Sequence, residues 1–244
     1  MLRNIVHLGI PDFYAAMEEL RRPELKKRPL VLSEPGERSA IQGLNGLARR
    51  EGIIEGMPLC RARRLCRRIV TVPADLYHYR EEHGRIVEEF SRYSPLVEGT
   101  SCGRYFIDVT GTRRLWGAEP DIACRIEKEL GQRMGLHARI GLASNKLVSQ
   151  VAATCIAPGD LGCIFPGGEA SFLAPLPVDY LPGVGAVTAS RLAGFNIEKI
   201  GQLTEFSQDC SPTSLAGRPG GSLPLPMASI RPPYSLFKKY PGLP

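Results

Sequence analysis

Tryptophan occurs once in these 244 residues and histidine four times. No apolar run reaches about 18 residues, so no spanning helix is expected. The seven cysteines (Cys60, Cys66, Cys102, Cys124, Cys155, Cys163 and Cys210) are odd in number, scattered and never spaced as a close pair of ligands. A disulfide framework and a zinc site are thereby set aside. Reduced thiols in a cytoplasmic protein are the expectation. The first residues lack a charged stretch followed by an apolar core, so no secretion signal is expected. Disorder is excluded for most of the chain, because 43% of residues are hydrophobic, enough for a sizeable core. The length fits one large domain or two to three small ones.

The charge that is present is uneven. Between Phe13 and Val70 stand 13 Lys/Arg and 7 Asp/Glu, an excess equal to the whole-chain net charge of +6. The densest part holds Arg61, Arg63, Arg64, Arg67 and Arg68, and Lys26-Lys27-Arg28 forms a second cluster. Positive charge without interleaved aromatics suits phosphate contact more than base reading. A solvated basic helix face is the other reading.

Apolar spacing gives the coarse elements. Asn4–Leu8 and Leu30–Leu32 read as short buried strands. Phe13–Leu20, Asn45–Glu51, a basic Leu59–Arg68, Leu76–Tyr93 and Asp121–Met134 read as helices, with Gly52 and Gly135 as caps and Pro95 as a stop. Gly103–Thr110 alternates as a half-covered strand, with Ile107 and Val109 opposite Phe106 and Asp108. Ala138–Ala143 is a strand, and Ser144 is the expected N-cap of the next helix. The order suggests an α+β domain of the ferredoxin-like kind with a basic insertion. Leu181-Pro182-Gly183-Val184-Gly185 followed by a helical Ala186–Leu192 reads as a helix-hairpin-helix, whose glycine turn lets backbone N–H groups approach a phosphate. From about Phe206 the chain is Ser-, Gly- and Pro-rich without apolar periodicity, and no regular structure is assigned. A shift of reading frame near Gln208 is one account of that change, and the other frames of the encoding DNA would test it.

Several segments then converge: Phe13-Tyr14-Ala15-Ala16-Met17-Glu18, Ala48–Ile53, Met57-Pro58, Tyr105–Gly111, Gly141–Lys146 and Leu181–Gly185. In this order and spacing, residues 4–206 resemble the Y-family (UmuC/DinB-like, ImpB/MucB/SamB) translesion DNA polymerases. The resemblance implies a ferredoxin-like palm over 1–10 and 76–167. It implies inserted basic fingers over 11–75, a partial helix-hairpin-helix thumb over 168–207, and an irregular tail over 208–244. It also implies that the little-finger domain is missing, which weakens DNA grip.

Polymerase chemistry needs two divalent cations held by carboxylates, which activate the primer hydroxyl and neutralise the triphosphate. The family takes one Asp from the end of the first strand and an Asp-Glu pair from the hairpin. Here those positions are Gly9, Gly103 and Arg104. Asp12 lies past Pro11, Asp108 falls on the opposite strand face from Gly103, and Glu98 precedes the site by a turn. No catalytic residue, metal ligand or cofactor is therefore assigned, with Mg²⁺ expected only if activity remains. The resemblance assigns triphosphate contacts to Arg49 and Lys146 and the sugar-discriminating side chain to Tyr14. The Thr and Tyr that accompany the arginine in the family fall at Gly43 and Gly46. Surface charge for Arg49 and Lys146 and packing for Tyr14 are the plainer readings. DNA contacts go to Arg61, Arg63, Arg64, Arg67 and Arg68 and to Gly183 and Gly185.

Three functions stay open. The first is a non-catalytic homologue in DNA-damage tolerance that binds DNA, weakly and through its backbone, or other repair and replication proteins, away from membranes. The second is an active error-prone polymerase with a rearranged metal site. The third is a truncated remnant without function.

Overall fold

The computed structural model describes residues 3–203 and the backbone of Lys238–Tyr240. In chain order, β1 (Ile5–Gly9) leads to α1 (Phe13–Arg21), β2 (Leu30–Leu32), β3 (Gly43–Leu44) and α2 (Gly46–Arg50). Then come α3 (Leu59–Leu65), β4 (Val70–Val72), α4 (Leu76–Phe90), β5 (Val97–Ser101) and β6 (Arg104–Asp108). After these stand α5 (Arg113–Trp116), α6 (Glu119–Met134), β7 (Arg139–Ala143) and α7 (Lys146–Thr154). Last are β8 (Leu161–Cys163), α8 (Glu169–Leu173), α9 (Ala186–Ala193) and β9 (Lys238–Tyr240). This is the expected α+β class. Among the described residues no helix is long and apolar enough to cross a membrane.

The chain divides into two compact units, and the boundary passes through β1. The first comprises Leu8–Ile107 and Arg125–Ala138. Its small sheet has the order β3-β2-β4. β2 runs antiparallel to β3, pairing Val31 with Leu44, and parallel to β4, pairing Val31 with Thr71. Leu30, Val31 and Leu32 are all fully buried, as a continuous apolar run covered on both faces should be. Asn45 ties this sheet to α2. Its Oδ1 accepts from Ala48 N–H at 3.0 Å, capping the helix, and from Leu30 N–H at 3.1 Å. Its Nδ2 donates to Glu19 Oε1 at 2.8 Å and to the Arg28 carbonyl at 2.9 Å.

In α3, Leu59 and Ala62 are buried while the arginines between and after them are exposed. The helix ends at Leu65, three residues before the expected Arg68. Cys66 adopts an extended backbone with φ −137° and joins the core cluster of Val31, Leu44 and Met57, so Arg67 and Arg68 leave the helix. α4 likewise stops at Phe90, with Tyr93 in the following turn. β5 and β6 form a hairpin closed by Cys102 and Gly103, with Ser101 opposite Arg104. Tyr105, Phe106 and Ile107 are all buried, so β6 is covered on both faces rather than alternating. Tyr105 is covered by α4: its ring stacks on His83 at 4.8 Å and meets Phe90 edge-on at 5.2 Å.

The second unit comprises Met1–His7, Asp108–Cys124 and the chain from Arg139 onward. β7 runs parallel to β8, and β8 antiparallel to β9. The tail, assigned no regular structure from sequence, thus contributes one strand, while the frame-shift reading near Gln208 falls outside the described residues. α7 lies close over β7: a Cβ on Gly141 would sit 1.8 Å from the Ser149 carbonyl oxygen. Val148, Val151, Phe172 and Leu176 gather in the core behind it. Asn145, not Ser144, caps α7, accepting from Val148 N–H at 2.9 Å. Ser144 instead donates to Glu169 Oε1 at 2.5 Å and holds that carboxyl below the usual range. The Leu181–Gly185 turn runs directly into α9, with Gly183 at φ +91°.

Candidate functional site

The three positions where the resemblance expects carboxylates meet in the first unit. β6 lies beside β1, and Ile10 N–H donates to the Gly103 carbonyl at 2.8 Å. One antiparallel step back from that pair, Gly9 faces Arg104 across the strands. The backbone thus brings the three positions together, as a shared ion would require. Their chemistry does not suit one. A hard divalent cation takes charged oxygen ligands. Two glycines and an exposed guanidinium offer none.

Gly103 is closed as well as substituted. It is buried, with φ +83°, and a Cβ there would lie 2.8 Å from Phe13 Cβ and 3.1 Å from the Ile10 carbonyl oxygen. The left-handed backbone disfavours any side chain, and the contacts leave no space for one.

Nearby carboxylates are committed elsewhere. Asp12, the residue before α1, has a left-handed backbone at φ +49°. Its Oδ1 accepts from Arg49 Nη1 at 3.1 Å and Nη2 at 2.6 Å. Asp108 lies in the second unit, where Arg3 donates to Oδ2 at 3.1 and 2.8 Å and Thr110 donates to Oδ1. Burial raises the Asp108 pKa, but the Thr110 and Arg3 hydrogen bonds outweigh it and hold the carboxyl below its ordinary range. Glu98 is exposed on β5, opposite Phe106.

Arg49 stands on α2, beside Asp12. Tyr14 stacks on Tyr79 at 4.9 Å, and the Tyr79 hydroxyl donates to the buried Glu18 at 3.0 Å. Glu18 also accepts from Arg21 at 3.2 Å and Arg22 at 2.5 Å, so the Tyr14 platform rests on a satisfied buried carboxylate. Burial, and then the adjacent Cys102 thiol, raise the Tyr14 pKa, while Arg80 opposes them. Sequence reading missed Arg80 and the Asp12 partner of Arg49. Arg80 is one of many charges on α4, and only the fold brings it near Tyr14. At Gly43 a Cβ would touch Leu32 Cδ1 at 3.3 Å and Tyr14 Cβ at 3.4 Å, while at Gly46 it would meet open space. His83 Nδ1 lies 2.9 Å from the Tyr105 hydroxyl, and burial lowers the imidazole pKa.

Lys146 is in the second unit, exposed at the first residue of α7. Arg61, Arg63, Arg64, Arg67 and Arg68 are all exposed in the first unit. Arg63 pairs with Glu37, and Arg68 with Glu51 at 2.9 Å. A Cβ at Gly183 or Gly185 would meet nothing within 4 Å, so the turn presents bare backbone.

Comparisons with known proteins agree on one kinship. The profile of the impB/mucB/samB family matches residues 9–154. The chain is 32% identical over 205 residues to a DNA polymerase IV of Desulfatibacillum aliphaticivorans, covering 84% of this chain and 52% of that protein. It is 33% identical over 201 residues to a DNA polymerase IV of Caulobacter vibrioides, covering 82% and 50%. The chain therefore spans about half the length of the curated relatives it matches. Among solved structures, DinB from Sulfolobus solfataricus superposes with a TM-score of 0.76 at 28% identity, over 83% of this chain and 60% of that one. An insertion ternary complex of Dbh DNA polymerase gives 0.74 at 26% identity, over 83% and 60%.

Proposed function

This chain belongs to the impB/mucB/samB family of Y-family, DinB/UmuC-like DNA polymerases, and from that premise we propose that it serves DNA-damage tolerance without nucleotidyl transfer. It binds DNA through backbone phosphates, or repair proteins, while the polymerase site stays idle. The observation that carries this reading is the triplet Gly9, Gly103 and Arg104. No carboxylate remains at the place of metal binding, and the Gly103 backbone admits none.

The roles follow from charge and geometry. Arg61, Arg63, Arg64, Arg67 and Arg68 give an exposed basic surface that meets phosphates without reading bases. The Gly183–Gly185 turn offers backbone N–H groups to a further phosphate. Arg49 in the first unit and Lys146 in the second are each an exposed cation suited to phosphate contact, and Tyr14 is fixed by packing on Tyr79. In this proposal residues 1–10 and 76–167 form the palm, 11–75 the fingers and 168–207 the partial thumb. An active enzyme would need Asp12 to leave Arg49 and Asp108 to leave Arg3 and Thr110, and nothing in the geometry favours either.

Primer extension with Mg²⁺ or Mn²⁺ tests the reading, and no template-dependent incorporation is expected. Incorporation at a rate above that of a heat-treated control overturns it. A duplex-DNA titration across salt concentrations is expected to show affinity that falls as salt rises. No affinity even at low salt refutes the DNA-binding part.

A further inference from the structure

One imidazole joins α4 to the β5–β6 hairpin. We propose that His83 is a pH-sensitive latch: its neutral ring holds edge strand β5 against α4, and its protonated ring frees the strand. The device lies beneath the hairpin that carries Gly103 and Arg104, and it operates whether or not the chain binds DNA.

Three elements close on the ring. From β6, Tyr105 stacks on it at 4.8 Å, and the Tyr105 hydroxyl lies 2.9 Å from Nδ1. From the start of α1, Phe13 meets it edge-on at 6.4 Å. From β5, the Gly99 backbone comes so close that a Cβ there would sit 2.5 Å from His83 Nε2 and 3.0 Å from Val87 Cγ2. Residues 83 and 87 share one helix face, so α4 rests on β5 at a position with no room for a side chain. β5 is the end strand of its sheet, and four of its five residues are exposed. Its ladder with β6 is irregular between Gly99 and Ser101. The contact with α4 is therefore a large part of what holds it.

No charge answers a proton on this ring. Burial pushes the Tyr105 phenol upward, so it stays neutral across the imidazole range. Arg104 and Glu98 adjoin Tyr105 and Gly99 and take the opposite strand faces. Beside α1, Asp12 accepts from Arg49, and Glu18 accepts from Arg21 and Arg22. At the hairpin turn, the Cys102 thiol lies 3.9 Å from the Tyr79 carbonyl. On α4 itself Glu82 pairs with Arg85 at 2.6 Å, and Arg80 is exposed. A protonated ring carries two N–H donors, and Tyr105 serves one of them. The charge is better solvated in water than between two aromatic rings and a glycine, and edge strand β5 is the wall that yields.

Hydrogen exchange of the full chain tests this, read on Val97–Ser101 across the imidazole pH range and corrected for intrinsic rates. Opening of β5 should grow as pH falls through the ordinary imidazole value, by up to about tenfold per pH unit, the linkage of one proton. It should level off once the ring is protonated in the folded chain as well. Exchange at Leu30–Leu32 reports global unfolding and should rise less. H83Q should abolish the pH dependence of β5, whereas H137Q, at an exposed histidine, should leave it intact. In the parent, NMR should show the β5 amide shifts following the His83 titration, a readout that needs no variant. The same pH dependence in H83Q, its loss in H137Q, opening of β5 in step with Leu30–Leu32, or β5 amides that ignore the His83 titration each overturns the proposal.

Discussion

Arg49 donates both terminal guanidinium nitrogens to a single oxygen of Asp12, at 3.1 and 2.6 Å. Both side chains are partly exposed, 48% and 23%, so the pair adds little to stability. Its importance lies in what it denies Arg49: any other anion must displace a carboxylate already seated there. Asp12 also occupies a left-handed backbone, which asparagine tolerates and alanine does not. D12N is therefore expected to cost at most about 0.5 kcal/mol, and D12A about 1 kcal/mol more. Urea unfolding of the two variants checks the order, and D12A at least as stable as D12N contradicts the backbone argument.

Placing an aspartate at residue 103 should harm the protein without creating a metal site. G103D places a side chain on a left-handed backbone against Phe13 and the Ile10 carbonyl. The combined cost is about 2–4 kcal/mol. Thermal melts with and without Mg²⁺ read both consequences. A G103D protein as stable as the parent, or one stabilised by Mg²⁺, shows that the turn accommodates the carboxylate.

Asn45 spends its whole side chain on four partners in the first unit. Asn45→Ala leaves Leu30 N–H and the Arg28 carbonyl without it and uncaps α2. A loss of about 2–3 kcal/mol follows. Denaturant midpoints measure it, with Asn45→Asp as the milder comparison because it keeps the acceptor for Leu30 and Ala48. A loss under about 0.5 kcal/mol in Asn45→Ala contradicts the tying role.

His83 gives a pH dependence with a definite sign. Burial lowers its pKa below the ordinary 6.5 in the folded chain, so the unfolded chain holds the proton more tightly. Well above pH 6.5 the ring is neutral in both states and costs nothing. As pH falls from there through the folded value, unfolding takes up a proton and stability drops. H83Q should flatten the slope as pH falls through and below the ordinary imidazole value. Equal slopes in the parent and H83Q would assign the dependence to other groups.

What could be read from the residues, and what could not, divides along physical lines. The lack of carboxylates at these positions was legible because a carboxylate is a matter of identity: Gly9, Gly103 and Arg104 cannot supply one in any fold. The closing of Gly103 was not, since its positive φ and its contact with Phe13 arise only when the hairpin meets the start of α1. Arg49 announced itself as a cation, but its partner stands 37 residues away. Ser144 and Asn145 are adjacent and both favoured caps, and which one serves depends on a residue 25 positions away: Glu169 claims the serine hydroxyl. The end of α3 shifted because Cys66 reaches the core only from an extended backbone. β6 departed from alternation because α4 covers Tyr105.

The hairpin turn at Cys102-Gly103 also bears on the history of the chain. Once residue 103 has settled into a conformation that only glycine holds easily, with Phe13 packed where a side chain would stand, a single codon change no longer leads back. An acidic residue at 103 requires the turn and its packing against Phe13 to be rebuilt first, so the conformation of one glycine works as a ratchet on what that position can become.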